Sequence, residues 1–120
     1  MYEYSATVLT VHDGDTLRLN IDLGFDVFEG NMDMRLFGVD APELKRPDKL
    51  GEKSRDALKA WLVAHPGPYV VTTVKDKTEK FGRYLVKTFI APDGHEMITD
   101  QKAAGYLKPY TGKGPKPAWP

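Results

Sequence analysis

The chain has 120 residues and a mass of 13.5 kDa, which is enough for one small domain with a single core. Its composition, 41% apolar and 28% charged residues with no cysteine, is that of a globular protein and excludes disulfide scaffolds, thiolate metal sites and cysteine nucleophiles. The formal net charge is zero, so no overall basic excess marks the chain as a nucleic-acid binder.

The first half of the chain is predicted to form three strands. Residues 5–11 are rich in β-branched and apolar side chains, and residues 13–15 (DGD) are a turn signal. Residues 17–21 then alternate between apolar and polar, the period-two pattern of a strand with one buried face. A loop containing Gly24 and Gly30 follows, and residues 32–39 are the third predicted strand.

The second half adds helices and two more strands. Apolar side chains recur at spacings of three and four in residues 51–65, which predicts a helix that ends before the Pro-Gly-Pro sequence that follows. Residues 69–74 and 84–90 are predicted strands, and residues 99–104 are a predicted short helix with Thr99 as its N-cap.

Five short strands with a helix after the third are typical of a small closed barrel. We therefore predict an α+β, mainly β fold: a five-stranded OB-fold barrel with one main helix after strand 3 and a short C-terminal helix. This domain takes up residues 1–107. Residues 108–120, rich in proline, glycine and lysine, are expected to form an extended tail.

Two aspartates are predicted to meet at one end of the sheet. Asp15 immediately precedes the second strand and Asp40 immediately follows the third, and adjacent antiparallel strands place these ends side by side. Neighbouring carboxylates repel unless a cation lies between them or one is protonated. A ligand set of oxygens alone favours Ca²⁺ or Mg²⁺. The alternative is that Asp15 is a turn residue and Asp40 caps the segment that follows it.

Three further charged residues are candidates for chemistry on a phosphate. Pro42 stiffens the chain between Asp40 and Glu43, which suits a carboxylate that orients a water molecule; the alternative is a surface glutamate. Arg35 and Arg83 are candidate phosphate clamps because a guanidinium group binds phosphate through two parallel hydrogen bonds. The alternative for both arginines is an ordinary salt bridge.

Taken together, these motifs resemble the staphylococcal nuclease (thermonuclease) family. The similar segments are residues 11–16 (VHDGDT), 35–43 (RLFGVDAPE), 51–52 (GE) and 81–85 (FGRYL). Their order and spacing follow the family from about residue 5 to residue 107, most of the chain. Members of the family have a five-stranded OB-fold barrel and use Ca²⁺ to cleave the phosphodiester backbone of DNA and RNA, releasing 3′-phosphates.

The resemblance also implies a role for each candidate residue. Asp15, Asp40 and the main-chain carbonyl of Ala41 would bind Ca²⁺. Glu43 would act as the general base or orient the attacking water, and the two arginines would hold the scissile phosphate and stabilise its developing charge. Such a site would work through charge neutralisation and positioning.

The chain departs from the family pattern in two respects. Residue 41 is alanine where the prototype has threonine. Its main-chain carbonyl could still bind the ion, but the contribution of a threonine hydroxyl is lost. The long C-terminal helix of the prototype is missing, and the residues that stack on the base are not matched directly. Tyr106 and Tyr110 are the nearest candidates for stacking, although both could equally pack the tail against the barrel. Lys80 is a candidate for an additional phosphate contact.

From the sequence we expect a calcium-dependent, monomeric nuclease that acts on DNA and RNA with little sequence selectivity, prefers single strands and has no membrane partner. One alternative is a non-catalytic OB-fold module that binds single-stranded nucleic acid or a protein partner. Another is a protein whose carboxylates bind Ca²⁺ only for stability.

The remaining features are less specific. Residues 1–43 carry nine acidic and two basic side chains, and residues 44–120 carry eight acidic and fifteen basic ones. This asymmetry fits either an acidic pocket within a basic surface or a dipolar, solvated surface. His12, His65 and His95 lack the mutual spacing of a metal site. The first residues do not resemble a signal peptide, so we expect a cytoplasmic protein, or a secreted one if the chain is trimmed from a precursor.

Overall fold

The computed structural model describes residues 2–75 and 84–119. Its first half is an antiparallel meander of β1 (Tyr2–Asp13), β2 (Thr16–Gly24) and β3 (Val27–Leu36). The predicted start of the third strand was wrong. Phe25 and Asp26 both adopt left-handed backbone conformations, with φ of 54° and 59°, and they join β2 to β3 in a tight turn.

The predicted end of the third strand also changes. β3 stops at Leu36, and Gly38, with φ of 77°, turns the chain before a separate short strand, β4 (Val39–Asp40). Glycine adopts this left-handed conformation without the steric penalty of other residues. The segment after β3 therefore leaves the barrel wall and carries Asp40 back across its end.

Two later strands complete the barrel. β5 (Tyr69–Lys75) and β6 (Tyr84–Ile90) close it in the order β1-β2-β3-β6-β5. All neighbours are antiparallel except β3 and β6, which run parallel beside Arg35 and Leu36. The closed five-stranded barrel with two helices confirms the predicted α+β, mainly β, OB-fold-like architecture.

Alternate residues of the strands fill the core. Leu17, Leu19 and Ile21 of β2 are at most 3% exposed, which confirms the period-two interpretation of this segment. Leu58 from the main helix is fully buried against the same cluster. The core therefore fixes the direction of β2 and β3, whose ends carry the candidate site.

Two helices pack on the barrel. α1 (Leu50–Ala64) agrees with the predicted helix to within one residue at each end. The predicted N-cap of the second helix, Thr99, was wrong, because α2 (Met97–Ala103) begins two residues earlier. The N-cap is Glu96, whose side chain accepts hydrogen bonds from the backbone N–H groups of Ile98 and Thr99. Within the two described ranges, no helix is long and apolar enough to cross a membrane.

A second, two-stranded sheet ties the C-terminal tail to the barrel. β4 pairs with β7 (Lys108–Pro109), and the N–H of Tyr110 donates a hydrogen bond to the carbonyl of Gly38 at 2.8 Å. The tail is thus anchored at its first residues. From there it continues alongside Asp40.

Candidate active site

Asp15 and Asp40 lie at the same end of the barrel. The carbonyl oxygen of Asp15, at the start of β2, accepts a hydrogen bond of 2.9 Å from the N–H of Leu36, at the end of β3. Asp40 is the last residue of β4. Both aspartates are buried, with exposures of 5% and 2%. Two buried carboxylates require compensating charge or hydrogen bonds, because burial removes the water that would otherwise solvate them.

Arg35 supplies part of that compensation. Its Nη2 lies 3.5 Å from Asp15 Oδ2 and 3.4 Å from Asp40 Oδ1, so a single guanidinium group bridges the two carboxylates. The neighbours of Arg35 in β3, Met34 and Leu36, are buried in the core. The Arg35 side chain remains 29% exposed, which leaves N–H donors available to a ligand.

The backbone of residue 41 also lies against Asp15. The N–H of Ala41 donates a hydrogen bond to Asp15 Oδ2 at 3.0 Å, and Thr16 Oγ1 donates to Asp15 Oδ1 at 3.0 Å. The oxygen ligands gathered here are those of two carboxylates, and carboxylate oxygens are among the ligands that Ca²⁺ prefers. The donor chemistry of the site therefore fits the cation that the family resemblance implies.

Asp13 adds a third acidic group to this end of the barrel. Burial raises the pKa of Asp13 to about 6, and the nearby Asp15 adds to the effect by hydrogen bonding and charge repulsion. Asp13 Oδ1 also accepts a hydrogen bond of 3.0 Å from the backbone N–H of Asp15. Three carboxyl groups therefore lie at this end of the barrel, where a cation would offset their mutual repulsion.

Glu43 is more accessible than the two buried aspartates. Its side chain is 51% exposed and lies 3.6 Å from Lys45 Nζ and 3.8 Å from Lys116 Nζ. The intervening Pro42 is fully buried and restricts the backbone between Asp40 and Glu43. This arrangement gives a carboxylate that reaches solvent from a stiff support.

The C-terminal tail contributes two residues that the sequence analysis did not assign to the site. Lys116 Nζ lies 3.9 Å from Asp40 Oδ1, and Trp119 Nε1 donates a hydrogen bond to Asp40 Oδ2 at 3.5 Å. Lys108 Nζ sits 4.7 Å from the centre of the Trp119 ring, where a cation is attracted to the aromatic face. No periodic pattern in the sequence predicts these contacts. The only signal is the presence of a basic residue, Lys116, and an aromatic residue, Trp119, in a proline-rich tail.

A cleft of about 620 Å³ opens over these groups. The cleft is lined by the acidic side chains described above and by two basic ones: Asp15, Asp40, Glu43, Arg35 and Lys116. A further ion pair in its wall joins Arg18 Nε to Asp33 Oδ1 at 2.9 Å, with both side chains well exposed. The cleft thus combines buried acids with basic groups nearer the solvent.

Of the predicted site residues that the structure describes, two are not gathered into the cleft. Arg83 and Lys80 lie outside the described residues. The carbonyl of Tyr106 accepts a hydrogen bond from Ser54 Oγ at 3.3 Å, and the hydroxyl of Tyr110 donates one to the carbonyl of Gly114 at 3.0 Å. Neither tyrosine lines the cleft, and both contribute to packing of the tail and its supports.

Two histidines that sequence spacing left unrelated lie together outside the cleft. The rings of His65 and His95 are stacked with their centres 4.3 Å apart. The expectation from spacing fails here because the end of α1 packs beside the turn between β6 and α2, a contact between segments distant in sequence. His12 lies apart, in the wall of the cleft.

No protein-family model matches this chain, and no curated protein matches it either.

Proposed function

We propose that this protein is a calcium-dependent nuclease that hydrolyses phosphodiester bonds of DNA and RNA with little sequence selectivity and prefers single strands. The observation that carries the proposal is the contact of one partly exposed guanidinium group, that of Arg35, with the two buried carboxylates of Asp15 and Asp40. The resemblance of the sequence motifs to the staphylococcal nuclease family supports the same assignment.

The carboxylates of Asp15 and Asp40, with the main-chain carbonyl of Ala41, would hold the calcium ion. When bound, the ion would polarise a phosphoryl oxygen and offset the repulsion between these two carboxylates and an incoming phosphate. The aspartates are anchored by hydrogen bonds from Ala41 N–H and Thr16 Oγ1, so their oxygens are held in place before a ligand arrives.

Arg35 would hold the scissile phosphate. A guanidinium group offers several N–H donors in one plane, and Nη2 is the atom that lies against the carboxylates, at 3.4 and 3.5 Å. The remaining donors are suited to two oxygens of a phosphate. Arg83 would act in the same way, as the family resemblance implies.

Glu43 would take a proton from the attacking water. Its carboxylate is half-exposed in the cleft wall, close to the buried aspartates but not in contact with the Arg35 guanidinium. As the water oxygen bonds to phosphorus, its proton passes to Glu43 and the bond from phosphorus to the 5′-oxygen breaks. The 5′-oxygen takes up a proton from solvent, so the products are a 3′-phosphate and a 5′-hydroxyl. A positioned general base contributes roughly 10²–10⁴-fold to such a step.

The form of the cleft supports a preference for single strands. The groups proposed to react line a concave site, which a phosphate would have to enter. A flexible single strand can bend its backbone into such a site, whereas a duplex is stiff on this length scale.

A non-catalytic module that binds single-stranded nucleic acid or a protein is the second candidate. The contacts of Lys116 and Trp119 with Asp40 favour it, because they engage oxygen atoms that a metal would need. An OB-fold barrel binds single strands through basic and aromatic groups without any chemistry.

Incubation with heat-denatured DNA separates the two candidates. The nuclease should digest it with Ca²⁺ and not with a calcium chelator. The Glu43→Gln variant should lose at least about a hundredfold in rate while retaining Ca²⁺-assisted binding of the strand. Glu29→Gln, an exposed residue of β3 outside the cleft, is the matched control and should digest like the wild type. Binding without digestion by the wild type would select the module instead.

A further inference from the structure

A second cluster of titratable side chains lies outside the cleft. His65 follows the last residue of α1, His95 belongs to the turn between β6 and α2, and Asp100 lies in α2. None of these residues lines the cleft, and the proposed nuclease chemistry uses none of them. The cluster therefore needs its own physical explanation.

The three side chains present their polar atoms to one another. One nitrogen from each imidazole and one carboxylate oxygen of Asp100 all lie within 4.8 Å of each other. The two rings are stacked, with their planes inclined by 30°. Donor atoms this close together can reach a single ion of ordinary coordination distance, about 2.0–2.2 Å from each donor, after small side-chain movements.

Carboxylates fix both histidine rings. His65 Nδ1 lies 2.6 Å from Asp93 Oδ2, and His95 Nδ1 lies 2.8 Å from Asp100 Oδ2. Trp61 Nε1 donates a hydrogen bond of 2.8 Å to the same oxygen of Asp100. Histidine rings that bind metals are typically oriented by such carboxylate partners, which set the tautomer and raise the basicity of the ring.

We propose that His65, His95 and Asp100 form a binding site for a divalent transition-metal ion, Zn²⁺ in particular, with Asp93 holding the His65 ring in place. Imidazole nitrogens favour zinc and its transition-metal neighbours, whereas calcium and magnesium prefer oxygen alone. Two nitrogens and one carboxylate oxygen, with a water molecule in the fourth position, are a suitable tetrahedral set for zinc. The site is thus chemically distinct from the all-oxygen site in the cleft.

Binding would tie two parts of the fold together. His65 follows the end of α1, while the other two donors come from the turn after β6 and from α2. An ion shared between them would clamp α1 to this turn. Because the unfolded chain does not hold these groups together, a bound ion would stabilise the folded state in proportion to the logarithm of its concentration.

The competing explanation is a metal-free cluster. In that case the two histidine–aspartate hydrogen bonds would only fasten the end of α1 to the turn. Replacing either histidine would then lower stability to the same extent with or without zinc. The two explanations differ in the response to the ion.

The test is a calorimetric titration of Zn²⁺ into the metal-free protein at about pH 7.5, paired with thermal unfolding. We expect one ion per chain with a dissociation constant of about 10 μM or tighter. We also expect a rise in Tm of about 5–10 °C at saturating zinc. Ca²⁺ should neither bind at this site nor displace the zinc.

The variants make the assignment specific. His65→Gln and His95→Gln should each weaken zinc binding by at least about tenfold and abolish the rise in Tm, while His12→Gln should bind like the wild type. His95 is half-exposed, so its replacement is not expected to prevent folding. The proposal is overturned if the wild type binds zinc no more tightly than about 100 μM, or if His12→Gln alone weakens binding.

Discussion

Gly51, in the first turn of α1, lies directly against the main-chain carbonyl of Glu43. A Cβ atom at residue 51 would stand 2.1 Å from that oxygen and 2.7 Å from the backbone nitrogen of Leu44. A Cβ atom does not approach a non-bonded atom this closely, so only glycine allows the helix to come so near. The first turn of α1 is therefore the surface on which the backbone of Glu43 rests.

Replacing Gly51 by Ala should displace the segment that carries Glu43. We expect a loss of about 1–3 kcal/mol in the free energy of unfolding, the usual cost of overpacking, and a fall in nuclease rate larger than the loss of folded protein explains. Urea denaturation and initial rates at saturating Ca²⁺ measure the two effects. Gly30→Ala is the control, because its Cβ would meet only the end of the Asn20 side chain, at 3.4 Å. An active, fully stable Gly51→Ala protein would refute the close approach.

Arg35 should matter for both stability and chemistry. Its removal leaves the buried carboxylates of Asp15 and Asp40 without their shared cation, so Arg35→Ala should unfold more easily in chelator, by about 1–3 kcal/mol. Added Ca²⁺ should restore part of that stability but not the nuclease rate, which should fall by about 10²–10³-fold. Urea denaturation with chelator or Ca²⁺ measures the stability.

The control for this variant is Arg18→Ala, which removes a well-exposed arginine from the same cleft. Exposed ion pairs contribute little to stability, so its unfolding should match the wild type in chelator and in Ca²⁺. If the Arg35→Ala variant is equally stable in chelator and in Ca²⁺, the carboxylates of Asp15 and Asp40 do not share a site with the calcium ion.

Lys116 should compete with calcium. Its ammonium group lies 3.9 Å from Asp40 Oδ1 and 3.8 Å from Glu43 Oε1, and a positive charge so close to these oxygens disfavours a second cation. Lys116→Ala should therefore lower the Ca²⁺ concentration for half-maximal activity by about two- to fivefold. The readout is the calcium dependence of hydrolysis, with the exposed Lys113→Ala as control. An increased calcium requirement would indicate that Lys116 assists the substrate or the ion instead.

The barrel could be predicted from the sequence because the signals for its strands and helix come from residues that are close together in the chain. Alternation in β2, the turn signal before Asp15 and the apolar stripe of α1 each depend on neighbouring residues, and together they specify five strands and a helix. The meeting of Asp15 and Asp40 followed from strand order alone. The arrangement of Asp15 and Asp40 in the structure depends on the turn at Gly38, which the sequence analysis did not predict.

The missed features depend on contacts between distant segments. The cap of α2 comes from Glu96, a residue type that rarely serves as an N-cap, and its side chain also accepts a hydrogen bond from Phe89 N–H in β6. Lys116 and Trp119 reach Asp40 only because β7 pairs with β4. Pairing of two-residue strands leaves no periodic signal in a sequence.

The most direct test of the central claim is the rate of hydrolysis of a single-stranded oligonucleotide as a function of free Ca²⁺, measured for the wild type, Asp40→Asn and Asp26→Asn. Asp26 lies in the exposed turn between β2 and β3 and serves as the control. The wild type and the control should be activated to the same saturating rate by Ca²⁺ and be inactive in chelator, and Asp40→Asn should be slower by at least about a hundredfold. Equal rates with and without Ca²⁺, or wild-type activity in Asp40→Asn, would contradict the account.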